Sequence, residues 1–281
     1  MSIVNRVLDV LFTTMQPGSS DDIVPELFSS IQGDFHNLLR SSGTLKRLEG
    51  LLGQGKATFD HANAFAVEIG SILSSVLRAK ITPGALPNGR MYYNIAHRIL
   101  TPTLELDYVL ASNFTAAIQE LLNGQAGIGI RAAQQIVNQG RIEGFINRLS
   151  SEEDVSGVLW ILGEPVINFS QSAVDDVMSA NIDRLGAAGV YPTVTRVVSG
   201  NCCKWCQEVA GEYRYPNVPG DVWRRHNRCR CTVTYNPADG KGRAQNVHTK
   251  RWTESPPEQI QKPTPTQVAI LKHLNLPKGM V

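Results

Sequence analysis

Cys202-Cys203-Lys204-Trp205-Cys206 and, after nineteen intervening residues, His226-Asn227-Arg228-Cys229-Arg230-Cys231 are the stretches on which the reading of this chain turns. All five cysteines lie between Cys202 and Cys231, with one histidine among them. An odd count suits no closed disulfide framework, and clustered thiols with an imidazole favour a metal. Cys203-x2-Cys206 presents two thiolates from one turn. Cys229 and Cys231 stand two apart in a segment that reads as a strand, so their side chains share a face. Cys203, Cys206, His226, Cys229 and Cys231 thus offer one ligand more than a tetrahedral ion needs, and zinc is the default ion for mixed thiolate and imidazole. A catalytic zinc keeps a position open for water. A surplus of protein ligands points instead to a closed, structural site that supplies folding energy to a segment with little core of its own. The competing reading is a set of buried free cysteines acting as small hydrophobes. Cys202 is expected to pack or face solvent.

Outward from this segment the chain changes character. Residues 1–190 read as helices. Ile3, Val4, Val7, Leu8, Val10, Leu11 and Phe12 give an opening helix an apolar set wider than one stripe. Ser20, Asp21 and Asp22 offer an N-cap for a second helix towards Arg40. Phe59 to Leu77 carries apolar residues at three- and four-residue steps. Tyr92 to Leu100 and Leu104 to Leu122 read as separate helices with a break at Thr101-Pro102. Val166 to Leu185 is the last large helix, stopped by Gly186 and Gly189. His36, His61 and His97 fall in helical patterns as packing or surface residues. Gly127-x-Gly129-x2-Ala132 has the look of a dinucleotide fingerprint but follows a helix rather than a strand, which argues against it.

After residue 190 the period shortens. Val194, Arg196 and Val198 alternate with Thr195 and Val197, and Arg230 to Tyr235 is strand-like. Asn236-Pro237-Ala238-Asp239-Gly240 reads as a loop. Pro256, Pro257, Pro263 and Pro265 mark an extended linker before a short apolar piece, Val268 to Leu276. The expected fold is therefore α+β: a large N-terminal helical domain over 1–190, a small zinc-stabilised α/β module over 191–254, and an extended Pro-rich tail with a short helix over 255–281.

Charge follows the same division. The chain carries a net +2. Residues 1–195 hold 13 Lys/Arg against 19 Asp/Glu, and residues 196–254 hold 11 against 5. A basic module suggests an anionic partner, or cations that offset metal-bound thiolates. Trp205, Tyr213, Tyr215, Trp223 and Trp252 crowd the module, either stacking on bases or, more simply, supplying its core. No apolar run reaches the roughly 20 residues that would span a bilayer, and the first twelve residues lack the features of a signal peptide. The sequence reads as cytosolic, or assembled in a cytosol, with no membrane partner.

The run Val194 to Gly211, with Cys203-Lys204-Trp205-Cys206 and Ala210-Gly211, followed by Arg225-His226-Asn227-Arg228-Cys229-Arg230-Cys231-Thr232-Val233, resembles the C-terminal domain of phage Mu F-like minor head proteins. The segment Asn246-Val247-His248-Thr249-Lys250-Arg251-Trp252 is similar to the family's closing segment. Asn227 stands where many members have proline, and some members lack the Cys-x2-Cys pair altogether. The resemblance implies a non-catalytic bacteriophage head morphogenesis factor, a minor capsid protein inside the virion, assembled in the bacterial host cytoplasm. Its implied partners are the portal and other head proteins, with packaged DNA as a non-specific contact during packaging or ejection. Two other classes compete. A zinc-ribbon nucleic-acid binder would not need the large acidic helical domain. An HNH-type nuclease would use His226 or His248 as its base, yet Cys229 and Cys231 stand too close to form a second knuckle.

Overall fold

A computed structural model describes residues 2–11, 22–200, 202–226 and 228–236. Eight α-helices and three strands are found among them, beside short 3-10 turns: α1 (Ile3–Leu11), α2 (Val24–Ser41), α3 (Gly43–Gly53), α4 (Phe59–Lys80), α5 (Tyr93–Gln125), α6 (Gln139–Leu149), α7 (Glu164–Ala187), β1 (Thr193–Val197), α8 (Lys204–Val209), β2 (Gly211–Arg214) and β3 (Thr232–Asn236). None of the described helices is long and apolar enough to cross a membrane. The expected order, helices first and a small sheet with the cysteines afterwards, is the observed one. Asn246 to Trp252 and Val268 to Leu276 lie outside the described residues, as does Phe12.

α7 is the axis of the helical region. Val166, Phe169, Ala173, Val174, Val177, Met178 and Leu185 are all buried along it, and it packs on both α4 and α5. A helix apolar on so many sides belongs in an interior. Its contact with α4 is close enough to demand glycine: a Cβ on Gly70 would sit 2.9 Å from the Ile167 Cα and 2.4 Å from Ser170 Oγ. The helix stops at Gly189, whose φ of +80° is the left-handed cap. The Val190 and Gly189 N–H groups bond back to the Leu185 and Gly186 carbonyls, the paired bonds of a Schellman motif. Gly186 serves differently, because the Tyr215 ring occupies the space a side chain there would need.

Several expectations need correction. Thr101-Pro102 is not a boundary between helices. α5 runs through Pro102 for 33 residues, because Ile99, Leu100, Leu104 and Leu106 are fully buried on both sides of it. That burial outweighs the one backbone bond proline removes. α3 is an addition to the expected elements; Ser42 caps it by accepting the Leu45 N–H. In α1, Ile3, Val4, Val7 and Leu8 all enter the main core, so these four leave no spare apolar face. Ser20 and Asp21 lie outside the described residues, while Asp22 Oδ1 does accept the Val24 N–H at the start of α2. Gly127 (φ +69°) ends α5 through bonds from Ile128 to Asn123 and from Gly127 to Gly124. The chain beyond it is held by Asn123 and Asn181, which bond to the backbone of Ile130 and Ala133. The first glycine of the apparent fingerprint is therefore a helix stop.

The sheet is antiparallel with order β2-β1-β3. Val194 pairs with Tyr235 and Arg196 with Val233, and these four side chains are buried. Tyr235 stacks on Phe59 of α4 with ring centroids 4.9 Å apart. Val194, Val222, Val233 and Tyr235 belong to the same apolar cluster as the helices. The change from helix to sheet near residue 190 is thus not a break in the core.

The close approach of α4 and α7 yields a paired test. Gly70→Ala is expected to lower stability by about 1–3 kcal/mol, since backbone cannot move aside. Gly33→Ala in α2, with nothing within 4 Å of the added carbon, is expected to raise it by about 0.5–1 kcal/mol. Chemical denaturation of both variants measures the contrast.

Candidate metal centre

The cysteine cluster is built from three short pieces. Cys203 is the N-cap of α8, and its sulfur accepts the Cys206 N–H at 3.4 Å. This N–H···S bond folds the Cys-x2-Cys pair so that both sulfurs face one side. The second piece is the turn His226 to Cys229, closed by a bond from the Cys229 N–H to the His226 carbonyl at 3.1 Å, with Arg228 in a left-handed conformation (φ +60°). The third is Cys231. Cys229 and Cys231 converge as expected, but they precede β3 rather than lie within a strand.

Two sets of three donors result, Cys203 with Cys206 and His226, and Cys206 with Cys229 and Cys231. Cys206 belongs to both. His226 Nε2 lies 3.2 Å from Cys203 Sγ and 2.9 Å from Cys206 Sγ, while Cys206 Sγ and Cys229 Sγ are 3.9 Å apart. Around a tetrahedral zinc, sulfurs would stand about 3.8 Å apart and sulfur and nitrogen about 3.5 Å apart, from bonds of about 2.3 and 2.0 Å. The sulfur pair fits. The imidazole would retreat by a few tenths of an ångström. The cluster could bind a metal ion such as zinc. Cys206, Cys229 and Cys231 are buried and Cys203 is exposed, whereas Cys202 is half-buried, packing against the cluster with Trp205.

Two buried arginines surround the sulfurs. Arg196 occupies a core-facing position of β1 and is 2% exposed. It makes no carboxylate ion pair among the described residues. Its guanidinium lies 4.0 Å from Cys206 Sγ and 3.7 Å from Cys229 Sγ, donates to the Val222 carbonyl, and covers the Trp205 ring at 5.4 Å. The Trp205 ring stands edge-on to His226. Arg225 is likewise buried and grips Asp175 of α7 with two nitrogens, the Nη2–Oδ1 bond being 2.8 Å. It also donates to Asn63 of α4 at 2.9 Å and to the Cys231 carbonyl at 2.8 Å.

Electrostatics follow from this burial. Burial opposes charge on Arg225, but Asp175 outweighs it and holds the guanidinium above its ordinary range. At Asp175 burial sets the carboxyl above its ordinary range, against the pull of Arg225. Burial pushes the Cys206 thiol up to about 12, aided by its bond with Cys231 and by the negative Cys229. Cys229 is also raised by burial, yet the Cys231 N–H, Arg225 and Arg196 together bring it below the ordinary thiol range. A dication at the sulfurs would lower both.

α7 holds the cluster through one stripe. Glu164, Asn168, Gln171 and Asp175 recur at four-, three- and four-residue steps, so they share a helical face. Glu164 pairs with Arg230 at 2.9 Å, and Asn168 donates to the His226 carbonyl at 2.9 Å. With its amide nitrogen turned to the loop, Gln171 donates to the Cys229 carbonyl at 3.1 Å and accepts from Arg225 at 3.0 Å. None of these partners is recognised by the sequence reading. The spacing of these four polar residues along one face of a largely buried helix is the signal that could have found them.

Of the basic residues flanking His226, Arg225 is a core residue and presents no charge at the surface. Arg224 is exposed and pairs with Asp221. Of the aromatic residues, Trp205 covers the cluster while Tyr213, Tyr215 and Trp223 pack against the main core; Trp252 lies outside the described residues. No protein-family model, curated protein or solved structure matches the chain.

The two ion pairs should respond very differently to mutation. Asp175→Asn leaves Arg225 buried without its anion and is expected to cost about 3–5 kcal/mol. Arg224→Ala removes an exposed pair and is expected to cost under about 1 kcal/mol. Urea unfolding of the two variants measures the difference.

Proposed function

We propose that this chain is a non-catalytic minor head protein of the phage Mu F-like kind, in which a structural zinc fastens a small sheet module to a helical body. The observation that carries the non-catalytic reading is the position of His226. Its Nε2 stands between two cysteine sulfurs, where it serves as a ligand, so it is not poised as a general base. The surplus of thiols leaves no need for solvent as a fourth ligand. The resemblance of Cys203-Lys204-Trp205-Cys206 and His226 to Cys231 to that family supplies the biological setting: association with the portal and other head proteins inside the capsid, in a bacterial host.

Packaged DNA is a secondary partner in this reading. Arg196 and Arg225 are buried, and Arg230 is committed to Glu164. Any DNA contact rests on residues such as the exposed Lys204 and on Lys241, Arg243, Lys250 and Arg251, which lie outside the described residues. Such contact would be non-specific and would weaken with salt.

Expression with a portal, scaffold and shell of the cognate phage tests the proposal. The full-length protein is expected to co-sediment with assembled heads, to contain about one zinc per chain, and to leave plasmid DNA intact with magnesium or manganese. Absence from heads would remove the head-protein reading. Nicking that disappears in folded His248→Ala would favour a nuclease, and tight salt-sensitive DNA binding without head association would favour a zinc-ribbon binder.

A further inference from the structure

Far from the cysteines, the helical body buries a second acid. Asp107 of α5 is 0% exposed. Its hydrogen-bond partner is Ser170 of α7, whose Oγ lies 2.6 Å from Asp107 Oδ2. Asp107 Oδ1 meets no donor among the described residues. Ser170 Oγ also lies 3.1 Å from the Val166 carbonyl oxygen, and a hydroxyl has one proton to give. Thr103, one turn before Asp107, gives its own to the Ile99 carbonyl. A carboxyl that keeps its proton settles both contacts of Ser170: Asp107 donates to Ser170, and Ser170 donates to Val166. An ionised Asp107 would have one donor for two oxygens in a site closed to solvent, where a carboxylate needs several donors or a cation.

No such cation is at hand. On α7, Glu164 faces Arg230, Asp175 faces Arg225 and Asp176 faces Arg141. On α5, Glu105 accepts from Gln139 and Tyr108 donates to Asp176. On α4, His61 meets Thr58, Glu68 accepts from Ser42, and Lys80 pairs with Asp34 of α2. His36 of α2 is buried, and the charge that acts on it is Arg40. The other charged side chains of these four helices are exposed. Ser170 is packed against Gly70 of α4, so the Asp107 contact sits where three helices meet.

We propose that Asp107 and Ser170 form a proton-dependent latch, which closes the junction of α4, α5 and α7 while Asp107 is neutral and loosens it when the proton leaves. The inference goes beyond the function proposed above and needs no bound metal. Burial pushes the Asp107 carboxyl up to about 7, against the opposing effect of the Ser170 bond, while its ordinary value is 3.8. Between those values the folded chain keeps a proton that the unfolded chain has released. The latch therefore contributes fully below the ordinary value, weakens as pH rises, and has lost its contribution above about 7.

Urea unfolding of the full-length protein and of Asp107→Asn across this range tests the latch. Asparagine has nearly the same shape and stays neutral. The folding constant of the variant relative to the wild type is expected to grow about 10-fold per pH unit between about pH 5 and 7, then to level off. A ratio that does not change with pH would overturn the proposal. A second measurement needs no variant: the carboxyl carbon resonance of Asp107 in aspartate-labelled wild type. It is expected to titrate near neutral pH, with the amide resonances of Ser170 and Gly70 moving at the same midpoint. Titration in the ordinary carboxylate range would show that Asp107 is not held neutral. A near-neutral titration that leaves Ser170 and Gly70 unmoved would show that its proton does not act on the junction. Either result overturns the latch.

Discussion

The buried pair between Arg225 and Asp175 is the constraint on which the rest of the structure depends. Arg225 precedes His226 in the loop that carries half of the cysteine cluster, and Asp175 lies near the middle of the central helix α7. The same guanidinium reaches Asn63 of α4 and the Cys231 carbonyl. One side chain thus ties two helices to the ligand loop. A buried pair of this kind is weak evidence for net stability, since desolvation offsets much of the attraction. Its value is geometric, because the arrangement tolerates few alternatives once both charges are dry.

Around this pair the polar stripe of α7 acts as a template for the loop. Glu164, Asn168 and Gln171 meet Arg230, the His226 carbonyl and the Cys229 carbonyl. The donors are therefore placed from outside, whether or not an ion is bound. The sheet is attached by different means, through apolar contacts such as Phe59 on Tyr235. Ion pair and shared core act on one region, where a metal would act as well, so the module is expected to open together with the segment of α7 beneath it rather than alone.

The sequence discloses the cysteine cluster because its signal is local: two short spacings and one histidine. It also discloses α4, whose apolar residues recur at three- and four-residue steps, α7, a long stretch closed by glycines, and β1, whose alternation is clear. The remainder is hidden for physical reasons. Pro102 reads as a break, and only burial on both sides keeps α5 continuous. Arg196 and Arg225 enter the sequence only as part of a basic count, open to an anionic partner or to thiolates, and nothing local says which cations a sulfur cluster and a distant Asp175 will take in. β2 is four residues long and depends on β1 for its register. The basic character of the module, legible as a count, misleads as a surface, since two of its arginines lie inside.

The central claim is that the ligand loop and the first half of α7 form one cooperative unit held by a bound metal. Amide hydrogen exchange of the full-length protein, before and after chelation, tests it most directly. The account predicts that chelation raises exchange in the three strands and in α7 from Glu164 to Asp175, while α2 and the later turns of α5 stay protected. Exchange that is unchanged everywhere, or that rises in the strands while α7 keeps its full protection, would contradict it.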